Sequence, residues 1–222
     1  MLVNADFTGP VSVTPDQYQW VNSPQGGVER AMLYRQGAEK ARATSIVRYA
    51  RDSRFPRHQH PGGEEILVLS GTFSEEGGHY PAGWYLRNPP GSGHHPFSHA
   101  GAIIFVKLGQ MAPREQHRVR IDTHDPASWH RTDGREVCPL FLSDTERVCL
   151  QRLSPNEALF THAIEGAELF VLTGDVLADG KTHPRGSWIR LPAGEYPAFT
   201  AGVRGATLYL KTGHLIDPTA EK

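Results

Sequence analysis

The chain repeats part of its own sequence at a distance of 103 residues, and this repeat constrains its fold more than any other feature. Most of the matched positions are turn glycines and prolines, together with one short apolar run and the glutamate before it. Glu65, Val68, Leu69, Gly71, Pro81, Gly83, Arg87, Pro89 and Gly91 recur as Glu168, Val171, Leu172, Gly174, Pro184, Gly186, Arg190, Pro192 and Gly194; with one residue added, Lys107 and Gly109 recur as Lys211 and Gly213. Because glycine and proline set backbone geometry, the repeat predicts two units of similar fold in tandem.

The segments between the turns predict that both units are all-β. Glycine occurs 23 times and proline 17 times, and they separate short runs rich in Val, Ile, Leu, Phe and Tyr, such as residues 44–50 and 102–108. That pattern is typical of many short strands joined by turns. The connection over 37–42 stays open between a helical turn and a hairpin tip. The predicted division is an N-terminal arm over 1–26, a first unit over 27–110, a linker over 111–133 and a second unit over 134–215.

Charge and composition exclude several classes of protein. The 23 Lys and Arg residues nearly balance the 24 Asp and Glu residues, and there is no basic run or nucleic-acid motif; we therefore expect no nucleic-acid partner. No apolar segment approaches membrane-spanning length, and the first residues lack the features of a signal peptide. Cys138 and Cys149 are the two cysteines, which excludes a disulfide framework and a Cys-x-x-Cys site. We expect a cytoplasmic protein without a membrane partner.

Four candidate metal ligands lie in the first unit: His58, His60, Glu64 and His94. Alternate side chains of a β-strand point to one face, so His58 and His60 share a face, and Glu64 keeps that phase if the intervening Gly-Gly bend does not shift it. A sheet closed into a barrel brings the inward side chains of separate strands together, which would let His94 meet them. Three imidazoles and one carboxylate suit a divalent ion: zinc, iron(II), manganese or nickel.

The second unit lacks these ligands. Shifted by 103 residues, the four positions become Thr161, Ala163, Ala167 and Pro197. None of these side chains can replace an imidazole or a carboxylate at a metal. His162 lies one residue out of phase, so it should point to the opposite face. The sequence therefore predicts one metal ion per chain, held by the first unit.

The two segments that carry the ligands resemble the two motifs of the cupin superfamily. The first motif, His-x-His-x(3,4)-Glu-x6-Gly, is matched by His58, His60, Glu64 and Gly71. The second motif, Gly-x5-Pro-x-Gly-x2-His, is matched by Gly83, Pro89, Gly91 and His94. The motif spacing favours His94 over the neighbouring His95, and Ser98 stands where the family has an asparagine. With the internal repeat, the resemblance implies a bicupin: two tandem double-stranded β-helix (jelly-roll) barrels.

Within the cupins, residues 60–74 and 87–92 look like the ChrR-like group, which is named after the cupin domain of an anti-sigma factor. In that group three histidines and a glutamate hold a metal, and the resemblance places them at His58, His60, His94 and Glu64. The sigma-binding part of such factors is a separate helical domain with its own zinc site, of which this sequence shows no sign. The resemblance therefore does not imply sequestration of a sigma factor. Related cupins with a similar ligand set are iron-dependent dioxygenases that cleave small ketones.

Three functions stay open, and the catalytic residues of any reaction are unknown because no obvious general base or nucleophile lies near the ligands. The function we favour is a sensor or regulator, in which a small molecule or an oxidant reaches the metal and alters an interaction with a protein partner. The alternative is a non-haem iron(II) dioxygenase that cleaves a ketone or diketone. The third is a structural zinc in a protein-binding domain. Homodimerisation through edge strands is also left open.

Overall fold

The computed structural model describes residues 1–24, 26–38, 41–213 and 215. Its regular structure is almost entirely β: the helices in these ranges are the 3-10 turns Pro15–Gln17 and Pro126–Ser128. No helix in the described ranges is long and apolar enough to cross a membrane. The chain forms two compact units, one of Met1–Ala5 and Tyr18–Asp125, the other of Asp6–Gln17 and the chain from Pro126 onward. The all-β class with two barrels, predicted from the repeat, is confirmed.

The strands are numbered along the chain. They are β1 Leu2–Val3, β2 Val11–Val13, β3 Trp20–Asn22, β4 Val28–Gln36, β5 Arg42–Tyr49, β6 Ser53–Arg54, β7 His58–His60, β8 Glu64–Glu75, β9 Gly78–Pro81, β10 Trp84–Asn88, β11 Ser92–His94, β12 Phe97–Ser98, β13 Ala102–Leu108, β14 Val119–Asp122, β15 His130–Thr132, β16 Arg135–Leu142, β17 Arg147–Leu153, β18 Ala167–Ala178, β19 Lys181–Pro184, β20 Trp188–Leu191 and β21 Thr200–Thr212.

The first unit is an antiparallel sheet in the order β1-β4-β5-β13-β8-β10-β14, with β7 and β11 forming a separate two-stranded ribbon. Alternation along the long strands gives its core, because every second side chain points inward. The core residues include Tyr49, Ile66, Val68, Phe73, Ile104 and Val106. Burial of each such side chain contributes about 1.5–3 kcal/mol to folding. Phe73 of this core lies against the ring of His94, with ring centroids 6.0 Å apart.

The second unit repeats this arrangement in the order β15-β16-β17-β21-β18-β20-β2. Its core is likewise apolar and includes Leu153, Leu169, Val171, Ile189, Phe199 and Leu208. In the first unit Glu65 is paired across the sheet with Arg87 and Lys107, and in the second Glu168 is paired with Arg190 and Lys211. The two units therefore share strand register as well as sequence, as the repeat predicts.

These cross-strand triplets, which we call the Arg–Glu–Lys ladders, are buried in both units. Arg87 Nη1 lies 3.3 Å from Glu65 Oε2. Lys211 Nζ also lies 2.8 Å from Glu146 Oε2. Buried charges are tolerated only when they are paired and hydrogen-bonded, so each ladder fixes which residues stand opposite one another. The role of Glu65 as a structural ion-pair partner follows from this geometry.

Three short strands lie in stretches that the sequence assigns to the arm and the linker. Strand β1 pairs with β4 of the first unit, β2 pairs with β20 of the second, and β14 pairs with β10 of the first. Strands of two to four residues carry too little alternation to be recognised from sequence. Of the segments assigned from sequence, residues 25, 39, 40 and 214 lie outside the described residues; 39 and 40 belong to the connection left open between helical turn and hairpin tip.

Candidate metal centre

Three histidines converge where β7 and β11 pair. His58 and His60 lie two apart on β7, and His94 stands opposite His58 on β11. The ring centroids are separated by 4.6 Å for His58 and His60, 5.0 Å for His58 and His94, and 4.9 Å for His60 and His94. One ring nitrogen from each lies within 4.8 Å of the other two. This group can hold a metal ion, and no comparable group of His, Cys, Asp or Glu lies elsewhere in the described part of the chain.

The Glu64 carboxylate lies beside the histidines. Its Oε2 atom is 3.5 Å from Nε2 of His60 and 3.5 Å from Nε2 of His94, and it accepts a hydrogen bond of 3.2 Å from the Asn88 side chain. Glu64 is buried, and burial raises the pKa of its carboxyl group. A cation between these four side chains would offset the cost of burying that carboxylate. Its role as fourth ligand stays a prediction at this point.

Two of the imidazoles are oriented through their second nitrogen. Nδ1 of His58 donates to the Pro56 carbonyl at 2.8 Å, and Nδ1 of His94 donates to Oε2 of Glu75 at 2.6 Å. A proton held on Nδ1 leaves the lone pair on Nε2, which is the atom directed at the shared centre. Nε2 of His60 and Nε2 of His94 are 3.0 Å apart. This arrangement is the one by which proteins commonly orient histidine ligands.

A chain of polar contacts surrounds the centre. Arg120 Nη2 donates to Glu75 Oε1 and to Asn88 Oδ1, each at 2.7 Å. Since Asn88 donates to Glu64 and Glu75 accepts from His94, one network joins both sides of the site. Burial opposes ionisation of Glu75, but His94 and Arg120 outweigh it and hold its pKa below the ordinary value. These three supporting residues could not be recognised from the sequence, since none stands at a fixed position of the motifs and Arg120 lies in the predicted linker.

The surroundings of His58 and His60 favour the neutral imidazole, which is the form that binds a metal. Burial, reinforced by neighbouring His94, lowers the pKa of His60 to about 4. Burial also lowers the pKa of His58, against the bond to Pro56. For His94, burial alone would lower the pKa, but the Glu75 and Glu64 carboxylates outweigh it and raise the value. At neutral pH His58 and His60 are therefore available as neutral donors.

The four side chains of the centre differ in their exposure to solvent. His60, His94 and Glu64 are buried, whereas His58 is only half-buried and packs edge-on against Phe55 with ring centroids 5.0 Å apart. His58 is thus the most exposed of the four side chains. Structural zinc sites are closed by four protein ligands, whereas reactive metal sites keep a coordination position for water or substrate.

The turn between β7 and β8 requires two glycines. Gly63 has φ of +78°, and a Cβ at this position would lie 2.4 Å from Sδ of Met111. A Cβ on Gly62 would lie 2.7 Å from Cα of Gly109. Side chains at Gly62 and Gly63 would therefore prevent the tight reversal of the backbone that brings Glu64 back beside the histidines.

The remaining candidates lie away from the centre. His95 is half-buried, and its backbone nitrogen donates to the exposed Glu76. His162 of the second unit is exposed, and no ligand group forms around it among the described residues. The isolated bridge between Ile164 and Gly194 has the register of the β7–β11 pair 103 residues earlier. The backbone positions equivalent to the three histidines are therefore retained in the second unit, but the residues at these positions cannot bind a metal.

Two antiparallel units of one design, with three histidines converging in the first, have the architecture of a two-barrel cupin fold. Residues 8–112, just under half of the chain, match the family model described as the ChrR Cupin-like domain. The resemblance to ChrR-like cupins stated from the sequence is confirmed. Comparison with curated protein sequences gives no match.

Solved structures share this fold over nearly the whole chain. A candidate dioxygenase from Nostoc punctiforme is 15% identical, with 93% of this chain and 84% of that one covered and a TM-score of 0.75. The pirin YhhW from Escherichia coli, in complex with nickel(II), is 13% identical, with 93% and 100% covered and a TM-score of 0.68. A Cupin 2 conserved barrel domain protein from Leptotrichia buccalis is 14% identical, with 96% and 100% covered and a TM-score of 0.63. Identities this low establish the fold alone.

Proposed function

We propose that the first barrel holds one divalent metal ion on His58, His60, His94 and Glu64, and that the protein is a metal-containing sensor. Three nitrogens and one carboxylate oxygen suit zinc, iron(II), manganese or nickel, and the nickel(II) in the pirin neighbour is compatible with that range. When bound, the ion would supply a coordination position for a small molecule or an oxidant arriving past His58. Four protein ligands would close a tetrahedral structural zinc, but they leave coordination positions open on a six-coordinate ion such as iron(II), manganese or nickel.

The network from His94 to β14 is the observation on which the sensing role rests. Glu75 joins the His94 ring to the guanidinium of Arg120, and Arg120 lies on β14, the edge strand of the first sheet. A shift of the His94 ring would therefore alter an ion pair on a strand that, among the described strands, pairs only with β10. Exposed strand edges are common binding surfaces for other chains, which supports a protein partner or a second copy of the chain at this edge. The family match to a regulator's cupin domain supports the same role.

Hydrogen exchange of β14 tests this coupling. The protein is loaded anaerobically with iron(II) or zinc, and amide exchange over 119–122 is followed before and after addition of hydrogen peroxide or small ketones. We expect the exchange of these amides to change in the wild-type protein when the centre is perturbed, and to change much less in Glu75→Gln. Unchanged exchange in the wild-type protein under every condition would contradict the sensing role.

Replacement of Glu75 by glutamine is expected to raise the metal dissociation constant about 10- to 100-fold, the usual effect of losing the carboxylate partner of a ligand histidine. The amide keeps the size of the side chain but removes the charge that orients His94. Glu76→Gln is the matched control, because Glu76 is exposed and its carboxylate contacts Arg57 and the backbone of His95 instead. Competition with a chromogenic chelator measures both affinities. Equal affinities in the two variants would contradict a role for Glu75 behind the ligand.

A dioxygenase is the second candidate, and the partial exposure of His58 favours it, because substrate and dioxygen would have to reach the metal from solvent. The Nostoc punctiforme neighbour, described as a candidate dioxygenase, has the same fold. Oxygen uptake by the iron(II)-loaded protein with a panel of diketones and aromatic ketones separates the two functions. Substrate-dependent oxygen uptake would replace the sensing proposal by an oxygenase, whereas metal binding without oxygen uptake would support the sensor.

The composition of the chain supports a location in a reducing cytoplasm. Its charges are balanced, and both cysteines are free thiols.

A further inference from the structure

The second barrel has a cavity at the positions where the first carries its ligands. This cavity, of about 250 Å³, is bordered by Thr161 and Ala163, which stand in place of His58 and His60. An adjoining cavity of about 260 Å³ shares these two residues and is also bordered by Pro197, which stands in place of His94. The loss of three imidazoles has therefore left space that a metal site would have filled.

The inner wall of this second-barrel cavity is apolar. Cys149, Leu159 and Leu210 border it and are buried. Phe160 forms another wall and belongs to an aromatic cluster, with ring centroids 6.4 Å from Tyr196 and 6.2 Å from Phe199. Such a wall suits a branched or aromatic hydrocarbon group.

Two polar side chains on β17 face the same cavity. Arg147 and Gln151 border it, and the register of β17 with β21 places them where β5 of the first barrel has Ala43 and Val47. The second barrel has thus lost metal ligands on one side and carries a cation and an amide on the other. Arg147 is exposed, and its guanidinium makes no hydrogen bond or ion pair with any described residue.

The amide of Gln151 is oriented by a neighbour. Its Oε1 atom accepts a hydrogen bond of 3.1 Å from Arg135, which is itself paired with Glu157 at 2.7 Å. Nε2 of Gln151 is left with only a weak contact, 3.7 Å from Sγ of Cys149. A donor amide and an unpaired guanidinium therefore border one cavity, and these are the groups that recognise a carboxylate.

We propose that the second barrel is a metal-free binding site for a small monocarboxylate with an aromatic or branched apolar body. The carboxylate would pair with Arg147 and Gln151, and the apolar body would pack against Phe160 and the inner wall. The exposed Glu195 on the rim of the adjoining cavity disfavours a second negative charge on the ligand. The cavity volume of about 250 Å³ lies just below the usual range for ligand pockets, about 300–1,000 Å³, which limits the ligand to a few carbons or a single ring.

Calorimetric titration of the full-length, metal-loaded protein with phenylacetate, benzoate and isovalerate tests this site. We expect saturable binding of at least one acid, weaker binding of its neutral amide, and a loss of affinity of about 10-fold or more in Arg147→Gln, because a charge-assisted hydrogen bond is removed. Arg204→Gln is the matched control, since this arginine is exposed on the second barrel and borders a different cavity. Ala163→Trp should block binding by filling the cavity at an exposed position.

The metal-free variant His60→Ala separates this site from the metal centre. Carboxylate binding should be the same in this variant as in the wild-type protein, even if the metal proposal fails. Loss of binding in His60→Ala with retention in Arg147→Gln would place the ligand at the metal and overturn the proposal. Absence of saturable binding for all three acids, or equal affinity in Arg147→Gln and Arg204→Gln, would overturn it as well.

Discussion

Replacement of His60 by alanine is expected to abolish metal binding by the whole chain. His60 is buried, its Nε2 atom lies 3.0 Å from Nε2 of His94 and 3.5 Å from Oε2 of Glu64, and no other described group of ligands has this spacing. Metal analysis after refolding with excess zinc or iron(II) and desalting measures the effect: about one equivalent in the wild-type protein and none in His60→Ala. The midpoint of thermal unfolding in excess metal should also fall, because binding to the folded state alone stabilises it.

His162→Ala is the control for this prediction. His162 belongs to the second unit, is exposed, and stands beside the small residues that replaced the ligands. The His162→Ala variant should retain one equivalent of metal and the thermal unfolding midpoint of the wild-type protein. Two equivalents in the wild-type protein, or equal losses in both variants, would mean that the metal is not confined to the first barrel.

Replacement of Glu65 by alanine is expected to lower the free energy of unfolding of the metal-free protein by ~3–5 kcal/mol, the usual cost of breaking a buried ion pair. The Glu65 and Arg87 side chains are 3% and 1% exposed and lie 3.3 Å apart, and the buried Lys107 stands opposite Glu65 on β13. Removing the carboxylate leaves two buried cations, one on each side of β8, without the negative charge between them. Urea unfolding followed by tryptophan fluorescence and circular dichroism measures the change. Glu168→Ala should destabilise the second unit comparably, since it stands opposite Arg190 and Lys211.

An exposed ion pair provides the contrast. Glu29 and Arg48 lie only 2.6 Å apart, but their side chains are 37% and 44% exposed. Glu29→Ala should therefore change the free energy of unfolding by less than ~1 kcal/mol, in spite of the shorter distance. If Glu65→Ala were no more destabilising than Glu29→Ala, the ladder would not contribute to stability in the way its burial indicates.

The barrels and the convergence of the histidines could be predicted from sequence because both depend on local rules. Turn glycines and prolines repeat with the fold, and the two-residue period of a strand puts His58 and His60 on one face. His94 could be chosen over His95 because its spacing from the turn residues is fixed. The structure brings His94, and not His95, to the other two rings.

The supporting residues could not be predicted because their positions depend on strand pairing over long distances. Glu75 reaches His94 from the far end of β8, and Arg120 reaches Glu75 across 45 residues from an edge strand of four. No spacing in the sequence marks such contacts, and an edge strand that short has no detectable period. The cavity in the second barrel could not be predicted either. The sequence shows which side chains are replaced by smaller ones, but not whether neighbouring side chains fill the space.

Neighbouring positions on β8 and on β18 serve opposite sides of the sheet. Glu64 faces the histidines whereas Glu65 belongs to the buried ladder, and in the second barrel Ala167 has replaced the first while Glu168 retains the second. The residues on one side of a strand can thus change, and with them the chemistry of the barrel, while the ion pairs on the other side of the same strand are kept. A duplicated domain built this way can lose one activity and acquire another while its architecture stays the same.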